Sequence, residues 1–398
     1  MKLQQILQFP RNVKLYLLSC IFFGVGTGIY ELVYNLHLLE IGINSDDIGT
    51  LYLINFIVMS ITSIPSGLLA DRYGRRWFLV GGSLLFGITM LLIPWFTNLY
   101  ILGFLQALNA LGGIIMFTTE SSTIAGEVSD EKRTQLFSFI YVTYLFWDGV
   151  GTLLGGQLPY WLTSKYFSQY QLTLFISGIF CTLIGVIRYF IKFKYESTGG
   201  KDKLTNIFPK APMIKIATLA FLVGGSATLA MRFINIILQS HWGFDTPMMS
   251  YLIFIEKIVS FVGAALAPII ANYFSNERAG SYAMFLSVPL LVCAGITNEP
   301  MLFMFLYLFR QGLHYCQMPY LDILSVSTVS YQDRSVMSSY REIGFYLGSA
   351  VLAKVYGGLL ESSNFVEAFI LSGVLALLSG LVYLKFSSSK SSIEFQGK

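Results

Sequence analysis

Some residues suited to chemistry stand where charge is most costly, inside long apolar stretches of this 398-residue chain. Arg310, His314 and Gln317 recur at i, i+4 and i+7, which sets all three on one face of a helix. Arginine holds carboxylate or phosphate through paired N–H donors, and histidine exchanges a proton near neutral pH. Hydrocarbon satisfies none of these groups, so the stripe must face protein or water. Similar polar groupings at helical spacing are Tyr30, Glu31, Tyr34 and Asn35; Gln106 and Asn109, with Glu120 further along; and Arg232, Asn235 and Gln239. Asp148 and the Glu256–Lys257 pair also interrupt apolar runs. A carboxyl in such surroundings has its proton affinity moved by burial and by neighbouring charge, in either direction.

The elements that must position these groups are helices in a bilayer. Hydrophobic residues make up 55% of the chain and charged residues 12%. A soluble protein carries about 25% charged residues. The 26 Lys+Arg and 22 Asp+Glu are too few to coat a water-soluble globule of this size. A soluble enzyme, a disordered chain and a disulfide scaffold are thereby excluded. Cys20, Cys181, Cys293 and Cys316 lie far apart in apolar runs, without metal or redox spacing, and read as small buried side chains.

Charges, Pro and Asn punctuate the chain into twelve apolar runs: 14–40, 46–70, 77–97, 100–127, 134–163, 169–191, 214–240, 246–271, 280–296, 300–327, 335–361 and 364–386. A membrane helix needs about 20 apolar residues, whereas barrel strands alternate over about 10. The runs therefore predict twelve helices. The apolar stretch near the N-terminus is longer than a signal peptide's and has no small-residue cleavage site, so it is expected to remain as the first helix.

Placing the N-terminus inside collects Arg72, Arg75 and Arg76, Lys132 and Arg133, the lysines between 192 and 215, Arg278, Arg334, Lys385 and Lys390 on the same side, and leaves Lys165 in the opposite loops. The positive-inside rule then predicts two cytoplasmic termini. The polar stretch 192–213, with Gly199 and Gly200, reads as a linker dividing 1–191 from 214–398, six helices on each side. The halves echo each other about 200 residues apart: Gly24 to Asn35 and Gly42 against Gly224 to Asn235 and Gly243, each followed by an acid, Asp46 or Asp245.

Between the second and third runs stands Gly67-Leu-Leu-Ala-Asp71-Arg72-Tyr-Gly74-Arg75-Arg76. This resembles the signature loop of the major facilitator superfamily of secondary transporters. The match is sharp over these ten positions and extends to the whole chain as a twelve-helix, two-bundle architecture. Gly67 and Gly74 suit a tight helix-to-helix turn and close packing. The resemblance implies that Gly67, Asp71, Arg72, Gly74, Arg75 and Arg76 form a gate. Asp71 would meet the N-terminus of the eleventh helix, and the arginines would pair with Glu127, Asp130 or Glu131. The fifth run carries Gly151-Thr152-Leu-Leu-Gly155-Gly156, which departs from the family's antiporter motif, since Thr152 stands where that motif has Pro.

The resemblance also places the first, fourth, seventh and tenth helices around a central site. Tyr30, Tyr34, Asn35, Asn109, Arg232, Asn235, Arg310, His314 and Gln317 are then expected to bind substrate. Glu31 is the expected proton carrier and Asp148 its rival. Two alternatives remain open: Arg232 and Arg310 as fixed partners of Glu31, and a static Asp148–Lys257 bridge. The whole is expected to be an all-α, multi-pass protein of the plasma or inner membrane. It would be a monomer that moves a small organic solute by alternating access, coupled to protons, with export of drugs or metabolites ahead of uptake of an organic anion. A sensor without transport and a lipid translocase are the other classes on the same fold. No phosphate loop with G-x-x-x-x-G-K-[ST] spacing occurs, and no enzyme activity, cofactor, metal or nucleic-acid partner is expected.

Overall fold

A computed structural model of the chain describes residues 9–125, 127–128, 130–162, 164–192, 209–330, 333–362 and 364–395. Most of the expected linker lies outside the described residues. The helices are α1 (Arg11–Glu40), α2 (Ser45–Tyr73), α3 (Arg75–Leu92), α4 (Leu99–Ala125), α5 (Asp130–Trp161), α6 (Gln169–Tyr189), α7 (Ala211–Met231), α8 (Ile234–Ser240), α9 (Thr246–Tyr273), α10 (Asn276–Ile296), α11 (Pro300–Ser327), α12 (Arg334–Glu361) and α13 (Phe365–Phe395). Each apolar run is helical over most of its length. The seventh is interrupted: α7 stops at Met231, Arg232 and Phe233 form a turn, and α8 resumes at Ile234.

Among the described residues, eleven segments are long and apolar enough to cross a membrane, with α7 and α8 together making one of them. The exception is α11, whose 28 residues carry Arg310, Gln311, His314, Gln317 and Asp322. The turns have local causes. Gly42 after α1 and Gly243 after α8 hold φ of 85° and 66°, values that favour glycine. The next helix is capped each time by a side chain: Asn44 Oδ1 accepts from Asp47 N at 2.8 Å, and Asp245 Oδ1 from Met248 N at 2.9 Å.

The chain forms two compact units. The first comprises Met1–Ile43, Ile61–Lys203 and Phe244–Phe254; the second comprises Asn44–Ser60, Leu204–Gly243 and Ile255–Lys398. Thus the start of α2 belongs to the second unit and the start of α9 to the first.

Packing inside the units follows one plan. In the first, α1 lies on α5 and α6, and α3 lies on α4 and α6. In the second, α7 lies on α12 and α13, and α10 lies on α11 and α13. Small residues bring the backbones together, as membrane helices require. A Cβ at Gly24 would stand 2.7 Å from the Tyr144 carbonyl, and one at Gly224 would collide with the Phe345 carbonyl. The echo between the halves is therefore a shared packing contact. Cys20, Cys181 and Cys316 are buried as expected, whereas Cys293 is exposed.

Candidate functional site

In the first unit a cavity of about 610 Å³ opens between α1, α4 and α5. Its walls are aromatic: Phe23 stacks on Tyr144 at 5.1 Å between ring centres and meets Phe117 edge-on at 5.9 Å. Glu120, 20% exposed, is the one charged residue among the described residues that line it. Behind it lies Arg188 of α6, with 0% exposure. Its guanidinium is 3.6 Å from Glu120 Oε1, donates to Ser19 Oγ at 3.1 Å and to Ser83 Oγ at 3.0 Å, and sits 5.0 Å over the Tyr16 ring. Sequence reasoning noted Glu120 but gave no role to Arg188, which lies within the sixth apolar run.

Further along α1, Tyr30 and Tyr34 stack at 4.6 Å, and Gln106 of α4 donates to both hydroxyls, at 3.0 and 2.6 Å. Asn35 is buried beside them in sequence, and Glu31 is exposed on the same helix. Asn109 turns to α3, donating to the Phe86 carbonyl at 3.2 Å and to Thr89 Oγ1 at 3.0 Å. Those bonds give it a helix-to-helix tie. Asp148 is 1% exposed at the α1–α5 seam, where Thr27 Oγ1 lies 3.2 Å from its Oδ1. Its backbone nitrogen would be 2.8 Å from a Cβ at Gly24. The seam therefore fixes the carboxyl between two helices at a point where their backbones nearly touch.

In the second unit, Glu256 of α9 is buried and receives Tyr307 Oη at 2.8 Å and Gln311 Nε2 at 2.9 Å. Gln311 Oε1 in turn accepts from Arg310 Nη1 at 2.8 Å. One amide thus links the buried base to the buried acid. The stripe continues along α11 with His314 Nδ1 3.1 Å from Gln317 Nε2, and Arg310, His314 and Gln317 are all buried. Tyr307 and Gln311 were missed, although their i, i+4 spacing extends the stripe by one turn. Arg232, at the α7–α8 break, is exposed and lies over the rings of Tyr52 at 5.7 Å and Phe56 at 5.1 Å. Asn235, in the first turn of α8, is buried.

The ten-residue motif joins α2 to α3. Gly74 holds φ of 104°, so the tight turn is formed there, whereas a Cβ at Gly67 would meet nothing within 4 Å. The close packing expected at Gly67 is thus not found among the described residues. Arg75 Nε pairs with Asp71 Oδ1 at 2.6 Å, Arg76 donates to the Tyr189 carbonyl at 3.1 Å, and Arg72 leans over Tyr73. Glu127, one expected partner of the arginines, accepts from Asn12 at 2.9 Å. The side chains of Asp130 and Glu131 lie outside the described residues.

A helical membrane protein whose two units repeat one packing plan, with this loop between α2 and α3, fits a class of solute carrier. The family model of the Major Facilitator Superfamily matches residues 16–321, and the chain belongs to that family. It is 23% identical over 308 residues to the multi-drug resistance efflux pump PmrA of Streptococcus pneumoniae, covering 72% of each chain. It is 25% identical over 240 residues to the 4-hydroxybenzoate transporter PcaK of Pseudomonas putida; that match covers 58% of this chain and spans 51% of the relative's length. Among solved structures, the nucleoside transporter NupG superposes with a TM-score of 0.80 at 11% identity, over 94% of this chain and 99% of that one, a likeness of fold.

Proposed function

We propose that the protein is a proton-coupled secondary transporter that exports a small organic solute across the plasma or inner membrane by alternating access. Twelve crossings with both termini in the cytoplasm, and action as a monomer, belong to this reading. The observation that carries it is Asp148, a carboxyl with 1% exposure inside a membrane-spanning helix. An ionisable group at that depth is costly to keep and marks a functional position by default. A carboxyl that meets water in only part of a cycle changes its proton affinity between the parts, which is what coupling requires. Glu31 is the second candidate carrier. The motif residues Gly67, Asp71, Arg72, Gly74, Arg75 and Arg76 act as the gate in this account.

Similarity to PmrA, an efflux pump by name, supports export, since that match extends over more of the chain than the match to PcaK. Uptake of an organic anion is the second reading, favoured by the PcaK similarity and by buried Arg310. Substrate contacts fall to Tyr30, Tyr34, Asn35, Arg232, Asn235, Arg310, His314 and Gln317, while Asn109 serves as the tie from α4 to α3. The test is flux in proteoliposomes under an imposed pH gradient, with Asp148→Asn. Solute movement that follows the proton gradient in the parent and loses that dependence in the variant supports the reading. Gradient-independent movement in both contradicts it.

A further inference from the structure

The cavity around Glu120 contains none of the residues to which proton coupling, gating or substrate contact is attributed above. Its volume of about 610 Å³ lies in the range of small-molecule sites, roughly 300–1,000 Å³. Phe117 and Tyr144 each contact Phe23 in its lining, and Glu120 supplies the charge. The carboxylate is held loosely. Its ion pair with Arg188 is 3.6 Å long, beyond hydrogen-bond length, and no hydrogen bond to Glu120 is found among the described residues. Arg188 is wholly enclosed: its Nε and Nη1 donate to Ser19 and Ser83, and its Nη2, without a hydrogen bond among the described residues, faces Glu120 Oε1, so a ligand in the cavity meets the carboxylate and not the guanidinium. Tyr16, which also lines the cavity, has a buried hydroxyl without a hydrogen-bond partner among the described residues. A ligand therefore meets π-faces and a carboxylate, with no accessible cation.

We propose that this cavity binds a lipophilic organic cation, an aromatic amine or onium ion, with Glu120 as its charge partner and Phe23, Phe117 and Tyr144 as its cage. Ring faces attract a desolvated cation, and aromatic cages are a general solution for onium groups. An anion would meet Glu120 first, with the balancing charge of Arg188 enclosed behind it. A neutral solute would leave the carboxylate's oxygen facing an apolar space, at a desolvation cost. The inference takes its physiological meaning from the transport reading above, but binding is measurable without flux.

The probes are tetraphenylphosphonium and tetraphenylborate, which share shape and differ in the sign of charge. Equilibrium binding is measured on the full chain in detergent, with elution by size exclusion as the check on folding. Tetraphenylphosphonium should bind the parent more tightly than tetraphenylborate. Glu120→Gln should weaken it about tenfold or more, as expected for loss of a partly buried charge partner. Phe117→Ala and Tyr144→Leu, which leave the Glu120–Arg188 pair in place, should each weaken it several-fold; they decide the matter if Glu120→Gln fails to fold. Tighter binding of the borate overturns the assignment, as does phosphonium binding unchanged in Phe117→Ala and Tyr144→Leu. If proton-driven flux persists while the binding pattern fails, the cavity assignment alone falls. If the binding pattern holds and no solute drives protons, the transport reading falls instead.

Discussion

Arg188 Nη1 donates to Ser83 Oγ at 3.0 Å, tying α6 to α3, while Nε reaches Ser19 on α1 at 3.1 Å. One enclosed guanidinium therefore fastens three helices of the first unit. Arg188→Met should lower stability by about 2–3 kcal/mol, because it strips a partner from Glu120 and two serines at once. The double variant Arg188→Met with Glu120→Gln should recover part of that loss, since no lone charge remains. Thermal midpoints in detergent read both effects. A double variant less stable than Arg188→Met would contradict the pairing.

Lys354 Nζ lies 2.5 Å from Asp46 Oδ2 and 3.0 Å from Thr50 Oγ1, tying α12 to the first turn of α2 within the second unit. Both charged partners are about two-fifths exposed, so Lys354→Met should cost about 1 kcal/mol or less. Gly49 is the tighter constraint, because a Cβ there would stand 2.7 Å from the Ala353 carbonyl. Gly49→Val should cost about 1–3 kcal/mol through overpacking. Thermal midpoints should rank the two variants in that order, and the reverse order would place the weight on the ion pair.

Asn109 and Gln106 stand three residues apart on α4 but face different tasks. Asn109→Ala should lower stability by about 1–2 kcal/mol through its lost ties to Phe86 and Thr89, and leave solute affinity nearly unchanged. Gln106→Ala should change solute affinity, because it releases the hydroxyls of Tyr30 and Tyr34. Binding and melting measured on the same preparations separate the two outcomes. An Asn109→Ala variant that melts normally but binds poorly would return Asn109 to the substrate set.

Lys210 Nζ donates to Asp333 Oδ2 at 2.6 Å where the chain enters α7, and Ser330 donates to the same oxygen at 2.9 Å. These hydrogen bonds, that from Lys210 foremost, hold the Asp333 carboxyl below its ordinary value of 3.8. A depressed folded-state pKa contributes stability above the unfolded value, and that contribution is lost as pH falls through the folded one. The melting difference between the parent and Lys210→Met should therefore be present at neutral pH and shrink below about pH 4. A difference that grows on acidification would contradict the pairing.

Helix positions were legible because the bilayer imposes a length and an apolarity that show directly in composition. The break at Arg232–Phe233 was not, since the apolar run continues through it and only backbone geometry reveals the turn. The stripe Arg310, His314 and Gln317 was read as facing protein or water, and it is buried. Its extension through Tyr307 and Gln311 to Glu256 needed the approach of α9, a contact between residues 55 apart. Arg188 carried no periodic signal, because what encloses it comes from α1, α3 and α4. Gly67 shows the opposite case: a motif glycine suggested close packing, while no atom of the described residues comes within 4 Å of its Cβ position.

The central claim is that a solute crosses with its movement tied to protons. The most direct measurement is internal pH in proteoliposomes of the purified full chain when tetraphenylphosphonium is added to one side, in the parent and in Asp148→Asn. The account predicts proton movement that starts with solute addition, opposes solute movement in direction, and disappears in Asp148→Asn. Solute-induced proton movement of equal size in parent and variant, or equal in liposomes without the protein, would contradict it.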